Sequence, residues 1–173
     1  GYISKYTAAK EKWLKDLEKI TAPSLMNSLP SDSQVIGAVN RSVPENTIVI
    51  GAAGSMPGEL HKLWKVLDQN TYHMEYGYSC MGYEISAGIG VNLATPNRPN
   101  VVFSGDGSYL MMNSELATAA MMGISMTLIL TNNKGYGCIN RLQKATGGAE
   151  FNNLFSDSKF DKQIEIDFVP HAK

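Results

Sequence analysis

The spacing of hydrophobic residues along the chain predicts helices and strands in alternation. Apolar residues three or four positions apart predict an amphipathic helix over Lys5–Ile20, which ends before Pro23. Ser31 or Ser33 is placed to cap a second helix that runs toward Val43. Further helices are predicted over residues 58–67, 83–93 and 113–122. The second of these three is rich in small residues, which suits close packing against a neighbouring element.

Short apolar runs predict β-strands over residues 46–51, 71–74, 100–104 and 125–131. The clearest of these runs are continuous rather than alternating, which is typical of strands covered on both faces. Strands and helices alternate, so the sequence predicts an α/β fold built on a parallel sheet with helices on both faces. Beyond Arg141 the chain is polar and contains glycine, and no regular element is predicted before residues 163–168.

Three glycine-rich loops each follow a predicted strand. They are Gly51–Gly58, Gly105–Ser108 and Asn132–Gly137. Ligands of parallel α/β sheets bind at the carboxyl ends of the strands, so these loops are expected to gather at one edge and form a site.

Composition excludes several classes of function. Fifteen basic and 16 acidic residues leave a net charge of −1, which argues against a nucleic-acid partner. No apolar run approaches the ~20 residues that span a bilayer, so no membrane partner is expected. Cys80 and Cys138 form no CxxC pair and are interpreted as free thiols in a reducing compartment. With no signal peptide visible, we expect a cytoplasmic location. The P-loop, the complete dinucleotide fingerprint and the G-x-S-x-G elbow do not occur in the sequence.

Two of the loops carry oxygen donors suited to a hard cation. Asp106 stands between two glycines after one strand, and Asn133 follows the next strand 27 residues later. With the carbonyl of Gly135, they offer three of the six oxygens that Mg²⁺ requires, and phosphate oxygens and a water are suited to complete the set. The alternative is that both loops are ordinary turns, since turns use the same residue types.

The pair of loops resembles the thiamine diphosphate motif of the acetolactate synthase and decarboxylase superfamily. Gly105-Asp106-Gly107 and Asn132-Asn133, with 24 residues between Gly107 and Asn132, match its GDG and NN elements. The resemblance implies thiamine diphosphate and Mg²⁺ as cofactors. It implies that Asp106, Asn133 and Gly135 hold the metal, and that Gly107 and Ser108 contact the diphosphate.

Two further segments support the resemblance. Residues 75–84 are similar to the superfamily stretch S-G-G-L-G-x-M-G-x-G, which implies that Met81 wedges beneath the cofactor and keeps it bent. The backbone of Ser79 and Met81 would then bind the pyrimidine edge of the cofactor. Gly54, Ser55 and Met56 lie where the superfamily makes further diphosphate contacts. Taken alone, Met81 would be interpreted as a core methionine that fills a gap, and its register with the metal motif favours the wedge.

The sequences of residues 74–85 and 102–115 resemble those of one family of that superfamily, the trihydroxycyclohexane-1,2-dione hydrolases of inositol breakdown. That resemblance extends over roughly Thr47–Asn140. It implies hydrolytic ring opening of a cyclic 1,2-diketone, a small-molecule substrate. Two alternatives stay open: an acetolactate synthase-like enzyme or 2-oxoacid decarboxylase of the same superfamily, and a non-catalytic α/β binding module.

No catalytic residue is assigned within this chain. The superfamily places its catalytic glutamate on a separate amino-terminal domain of a partner subunit, which implies a homodimer or homotetramer. Glu75, Glu84 and Glu115 are the carboxylates nearest the motifs, and none is given the acid role. The resemblance further implies that residues 1–30 form a linker helix from a preceding domain. Residues 31–173 would form the cofactor domain, truncated at its C-terminal end.

Overall fold

A parallel four-stranded sheet organises the chain in the computed structural model, which describes residues 1–23, 28–159 and 165–172. The strands are β1 (Ile48–Gly51), β2 (Tyr72–Met74), β3 (Asn100–Gly105) and β4 (Thr127–Thr131). The helices are α1 (Tyr2–Ile20), α2 (Asp32–Ser42), α3 (Ser55–Leu63), α4 (Tyr83–Ala94), α5 (Asp106–Met112), α6 (Glu115–Met121) and α7 (Gly137–Ala145). The strand order is β2-β1-β3-β4 and every pairing is parallel, so the predicted α/β fold is confirmed.

The two faces of the sheet carry separate apolar cores, because successive strand residues point to opposite sides. Val49, Val101 and Phe103 pack with residues of α2 and α3 on one face. Ile50 and Val102 pack against α4 on the other face. Helices therefore cover both faces, which is why the strands read as continuous apolar runs.

Helix α4 packs very closely on β3, as its small residues predict. A Cβ added at Gly88 would lie 2.7 Å from Cγ2 of Val102 and 3.1 Å from Sδ of Met126. Because these distances are shorter than van der Waals contact, the helix and the strand can approach this closely only with glycine at this position.

The predicted amphipathic helix is present as α1, and only its C-terminal part joins the core. Leu17 is buried in the same cluster as Ile36 of α2. Trp13 and Ile20, on the same predicted stripe, remain about half exposed. The following helix begins as predicted, because Ser31 caps α2 in a reciprocal pair with Gln34.

One predicted helix has the wrong bounds, and two helices form where none is predicted. Helix α3 spans 55–63 rather than 58–67, since Gly54 caps it and Pro57 fits in a first turn whose N–H groups have no intrahelical partner. The helix predicted over 113–122 is present as α6, and the additional helix α5 begins at Asp106 directly after β3. Helix α7 occupies part of the stretch predicted as irregular.

The C-terminal stretch is only partly described. Of the predicted element at 163–168, residues 163–164 lie outside the described residues, and 165–168 carry no regular structure. Among the helices that the structure describes, none is both long and apolar enough to cross a membrane.

Candidate functional site

A cleft of about 250 Å³ opens at the carboxyl edge of the sheet, where the loops after β1, β3 and β4 meet as predicted. It is lined by nine of the ten predicted cofactor contacts: Gly54, Met56, Ser79, Met81, Asp106, Gly107, Ser108, Asn133 and Gly135. Ser55 begins α3 at the same edge, and its side chain lies outside the described part of the structure. Met56 also belongs to the apolar core beneath the cleft.

Asp106 directly joins the two loops that are predicted to hold a metal. Its side chain is 1% exposed, and the Gly135 N–H donates a hydrogen bond to its Oδ2 at 2.8 Å. Strand register explains this contact: Gly105 of β3 lies opposite Thr131 of β4, so the segments that follow the two strands start side by side.

The segment that follows α7 braces the loop after β4. Gly135 forms an antiparallel bridge with Leu154, and a Cβ at Gly135 would lie 2.9 Å from the Leu154 Cα. The φ angle of Gly135 is +144°, so both conformation and space require glycine here. Asn133 is held by a hydrogen bond from the Gly137 N–H to its Oδ1 at 3.3 Å.

Gly107 lies between the Tyr136 ring and the Met81 side chain. A Cβ at this position would lie 2.7 Å from Cε1 of Tyr136 and 3.4 Å from the Met81 methyl carbon. The predicted wedge residue and the tyrosine of the metal loop therefore flank the same glycine in the cleft.

The loop that carries Ser79 is ordered by one carboxylate. Glu75 accepts hydrogen bonds from the N–H groups of Tyr78 and Cys80, each at 2.8 Å. These two bonds lower the pKa of Glu75. They close a tight turn in which Ser79 adopts a left-handed φ of +53°, a conformation that few non-glycine residues take.

Glu84 is a buried carboxyl beneath the cleft that the sequence argument left unassigned. It is 0% exposed, and neither of its oxygens has a hydrogen-bond partner among the described residues. Burial raises its pKa, while its own backbone N–H, the Ser108 hydroxyl and the N–H groups of Gly82 and Ala53 oppose that rise. The superfamily stretch S-G-G-L-G-x-M-G-x-G has glycine at the position of Glu84. This departure from the superfamily pattern is the sequence signal by which Glu84 could have been singled out.

Further lining residues come from α2 and α7. Asp32 reaches the cleft from the first turn of α2, and Cys138, Ile139 and Leu142 line it from α7. Ile139 and Leu142 are three residues apart, and this apolar spacing is the feature of the sequence that indicates α7. Asp32 carries no such signal, because its position depends on how α2 packs.

The arrangement fits a divalent cation and a phosphate group. Oδ1 of Asp106 is buried without a hydrogen-bond partner in the described part of the chain. Its neighbours Gly135 and Asn133 add a carbonyl and an amide oxygen, which are ligands that Mg²⁺ accepts. Within residues 1–23, 28–159 and 165–172, no three His, Cys, Asp or Glu side chains gather to hold a metal, so a cation here depends on this mixed set.

A parallel sheet whose strand-end loops converge on a cleft of this kind defines a nucleotide- or cofactor-binding α/β domain. The chain belongs to the thiamine pyrophosphate enzyme family, because the family model described as "Thiamine pyrophosphate enzyme, C-terminal TPP binding domain" matches residues 52–173. The match contains every predicted contact from Gly54 to Gly135, and it confirms the superfamily resemblance.

Two named relatives from this enzyme family are similar to the chain over most of its length. The chain is 39% identical to a 3D-(3,5/4)-trihydroxycyclohexane-1,2-dione hydrolase of Clostridium tetani, covering 100% of this chain and 32% of the relative. It is 40% identical to the hydrolase of the same name from Geobacillus thermodenitrificans, covering 87% of this chain and 28% of the relative. The chain thus spans about a third of the length of these relatives.

A solved structure supports the fold. The thiamine diphosphate-dependent 4-hydroxybenzoylformate decarboxylase of Rhodococcus jostii superposes with a TM-score of 0.70, over 87% of this chain and 28% of that one. Since the two chains are only 22% identical, this likeness concerns the fold alone.

Proposed function

We propose that this chain binds the diphosphate of thiamine diphosphate through Mg²⁺ and is the cofactor domain of a carbon–carbon hydrolase. The observation that carries the proposal is the buried, unpartnered Oδ1 of Asp106 beside Gly135, at the edge of a cleft between strand-end loops. A buried acceptor without a partner is costly unless a ligand completes it. Mg²⁺ held by Asp106, Asn133 and Gly135 would do so.

The remaining predicted contact residues fall into two groups, one for the diphosphate and one for the pyrimidine ring of the cofactor. Ser108 and the backbone of Gly107 and Gly54 would face the diphosphate. Ser79 and Met81 would face the pyrimidine ring, with the Met81 side chain beneath the cofactor. When bound, thiamine diphosphate supplies a nucleophilic carbon and an electron sink, and the chain's own share is binding and orientation.

We propose 3D-(3,5/4)-trihydroxycyclohexane-1,2-dione as the substrate and 5-deoxy-glucuronic acid as the product, in myo-inositol catabolism. Hydrolysis would break the bond between the two carbonyl carbons. The OH of water would go to the carbon that becomes the carboxyl group, and hydrogen to the carbon that becomes the aldehyde. Two relatives of about 40% identity that carry this hydrolase name support the proposal.

Cofactor binding is the first test. Thiamine diphosphate with MgCl₂ is expected to raise the melting temperature of the full-length gene product, because a ligand specific to the folded state stabilises it by about 2.7 kcal/mol at 100 times its Kd. Thiamine diphosphate in EDTA is expected to produce a much smaller shift. Equal shifts with and without Mg²⁺, or no shift at all, would contradict the proposed site.

Substrate choice is the second test. The full-length product is expected to hydrolyse the cyclic diketone and to leave pyruvate unchanged. Consumption of pyruvate without diketone hydrolysis would favour an acetolactate synthase-like enzyme or a decarboxylase instead. Because the catalytic glutamate is expected on another domain, residues 1–173 alone should show no turnover, and hydrolysis by that segment would contradict this expectation.

Assembly into a dimer or tetramer belongs to the same proposal. Several apolar side chains of the loop before α4, of α5 and of the C-terminal end of α6 are half exposed or more, namely Tyr78, Met111, Met121 and Met122. Such side chains are available for burial against a second subunit. Light scattering on the full-length product should give a dimer or a larger multiple, and a monomer mass would contradict the proposed assembly.

A further inference from the structure

Helix α1 carries an apolar stripe that the rest of the described structure leaves uncovered. The stripe residues recur three, four or seven positions apart and therefore lie along one side of the helix: Tyr2, Tyr6, Ala9, Trp13 and Ile20. Their large side chains are 44–75% exposed. The rings of Tyr2 and Tyr6 contact each other, with their centroids 4.4 Å apart.

The uncovered part of α1 is long for a helix that stands by itself. Every residue from Tyr2 to Trp13 is exposed. At about 1.5 Å per residue, this part extends about 18 Å. Helices of this length are only marginally stable alone in water, and most helices in proteins are stabilised by the packing of their apolar side. An apolar stripe without such packing is typical of an interaction surface.

The other end of α1 is fixed to the rest of the chain. Leu17 lies in the same buried cluster as Ile36 of α2. Nη1 of Arg41, also on α2, donates a hydrogen bond to the Thr21 carbonyl at 3.1 Å. Helix α2 in turn begins at Asp32, which lines the cleft. A partner on the stripe is therefore held in a defined position relative to the cleft.

Charge along α1 argues against a second copy of the same helix as the partner. Lys5, Lys12 and Lys19 recur every seven residues and form a row along one edge of the stripe. Two copies paired antiparallel would bring these rows together, and like charges at such positions destabilise helix pairs. Five lysines and three acidic residues give α1 a net charge of +2. A partner with acidic side chains beside an apolar surface fits this helix better.

The extent of the family match indicates where such a partner lies. The matched domain is described as C-terminal and covers residues 52–173, so α1 lies outside it on the N-terminal side. The alignment with the Clostridium tetani relative includes all of this chain and only 32% of that relative. Most of such a protein therefore precedes its C-terminal domain, and α1 is the described element nearest in sequence to that part.

We propose that the apolar stripe of α1 docks on the part of the full-length chain that precedes Gly1, on an apolar surface with acidic side chains at its edge. Helix α1 then acts as a bracket, because its stripe binds the preceding part while Leu17 and Thr21 bind α2. This inference goes beyond the proposed function and does not depend on which cofactor fills the cleft.

Thiol labelling of the full-length gene product tests whether the stripe is covered. Ala8 and Ala9 are neighbouring, exposed residues, and only Ala9 belongs to the stripe. Ala9→Cys should be modified at least about tenfold more slowly than the matched control Ala8→Cys, because a docked surface reacts only when it opens locally. Mass spectrometry of the peptide that contains the new cysteine separates it from Cys80 and Cys138. Rates that agree within threefold would overturn the inference.

Photochemical cross-linking of the same full-length product identifies what covers the stripe. Benzoylphenylalanine in place of Tyr6 should link to a peptide that precedes Gly1, in a product with the mass of a single chain. The same group in place of Lys15, on the opposite side of α1, is the control and should not form that link. A product with the mass of two chains, or a link to residues 21–173, would overturn the inference.

The docking proposal and the proposed function fail separately. A full-length product with a slowly labelled Ala9→Cys but no affinity for thiamine diphosphate would overturn the proposed function alone. Affinity for thiamine diphosphate together with equal labelling of Ala8→Cys and Ala9→Cys would overturn the docking of α1 alone.

Discussion

Replacing Asp106 by asparagine tests the proposed metal site with little change of shape. The asparagine oxygen can still accept the hydrogen bond that the Gly135 N–H now donates at 2.8 Å. What changes is Oδ1, the buried acceptor without a partner, which becomes an NH₂ group that cannot bind a cation. Removing one partner of a desolvated charged contact costs about 2–5 kcal/mol. At 1.4 kcal/mol per factor of ten, a loss of about 2–5 kcal/mol raises the Kd for thiamine diphosphate about 30- to 4,000-fold.

The assay is calorimetry on the full-length gene product, in MgCl₂ and in EDTA. Wild-type affinity should depend on Mg²⁺, and Asp106→Asn affinity should be weak and independent of Mg²⁺. The melting temperature without ligand should change by no more than about 4 °C, because the retained hydrogen bond limits the stability change to about 1 kcal/mol. Asp68→Asn is the matched control, since that side chain lies on the surface, where it pairs with Arg98 at 3.5 Å and accepts a hydrogen bond from the Gln69 N–H at 2.7 Å. An Asp106→Asn Kd within threefold of wild type would refute the reasoning.

Two further predictions concern packing and pH. Gly88→Ala should destabilise the fold by about 1–3 kcal/mol, because its Cβ meets β3. Gly90→Ala on the same helix, which meets nothing within 4 Å, should stabilise by up to about 1 kcal/mol, and equal melting temperatures of the two variants would contradict the packing argument. The lowered pKa of Glu75 predicts that its turn is stabilised above the usual glutamate pKa of about 4.3 and loses that support as the pH falls through the lowered value. The Tyr78 and Cys80 amides should therefore lose their protection from hydrogen exchange below about pH 4. Glu75→Gln should remove this pH dependence. Protection that is unchanged at pH 3 would contradict the role of Glu75.

Most elements were predictable because their signals are local. Continuous apolar runs identified β1, β3 and β4, because strands covered by helices on both faces show little polar alternation. The shorter β2, which contains His73, was predicted over residues 71–74. The start of α2 was predictable for a similar reason, because the capping hydrogen bonds of Ser31 and Gln34 join residues only three apart. The start of α5 was missed, because Asp106 reads equally well as a turn residue and as the first residue of a helix.

The location of the site was also predictable, although its assembly was not. Glycine-rich loops after parallel strands gather at one edge in any such sheet, which indicated Asp106 and Asn133 together. Helix α7 was overlooked because glycine at its start and polar residues along it resemble a loop. Its contribution to the cleft depends on the bridge between Gly135 and Leu154, and local sequence carries no signal for that contact.

The sequence by itself determined the α/β class, the parallel sheet and the oxygen donors of the cleft, because each follows from spacing along the chain. Only the tertiary structure decided how those donors are brought together and which hydrogen bonds hold them. The register of β3 against β4 sets Gly105 opposite Thr131, and this alignment brings Asp106 within hydrogen-bond distance of Gly135, 29 residues away. The packing of the start of α4 against the start of α5 brings the Gly82 N–H within 3.3 Å of Oγ of Ser108, 26 residues away. Both contacts join residues distant in sequence, so they depend on how the strands and helices pack rather than on any local pattern.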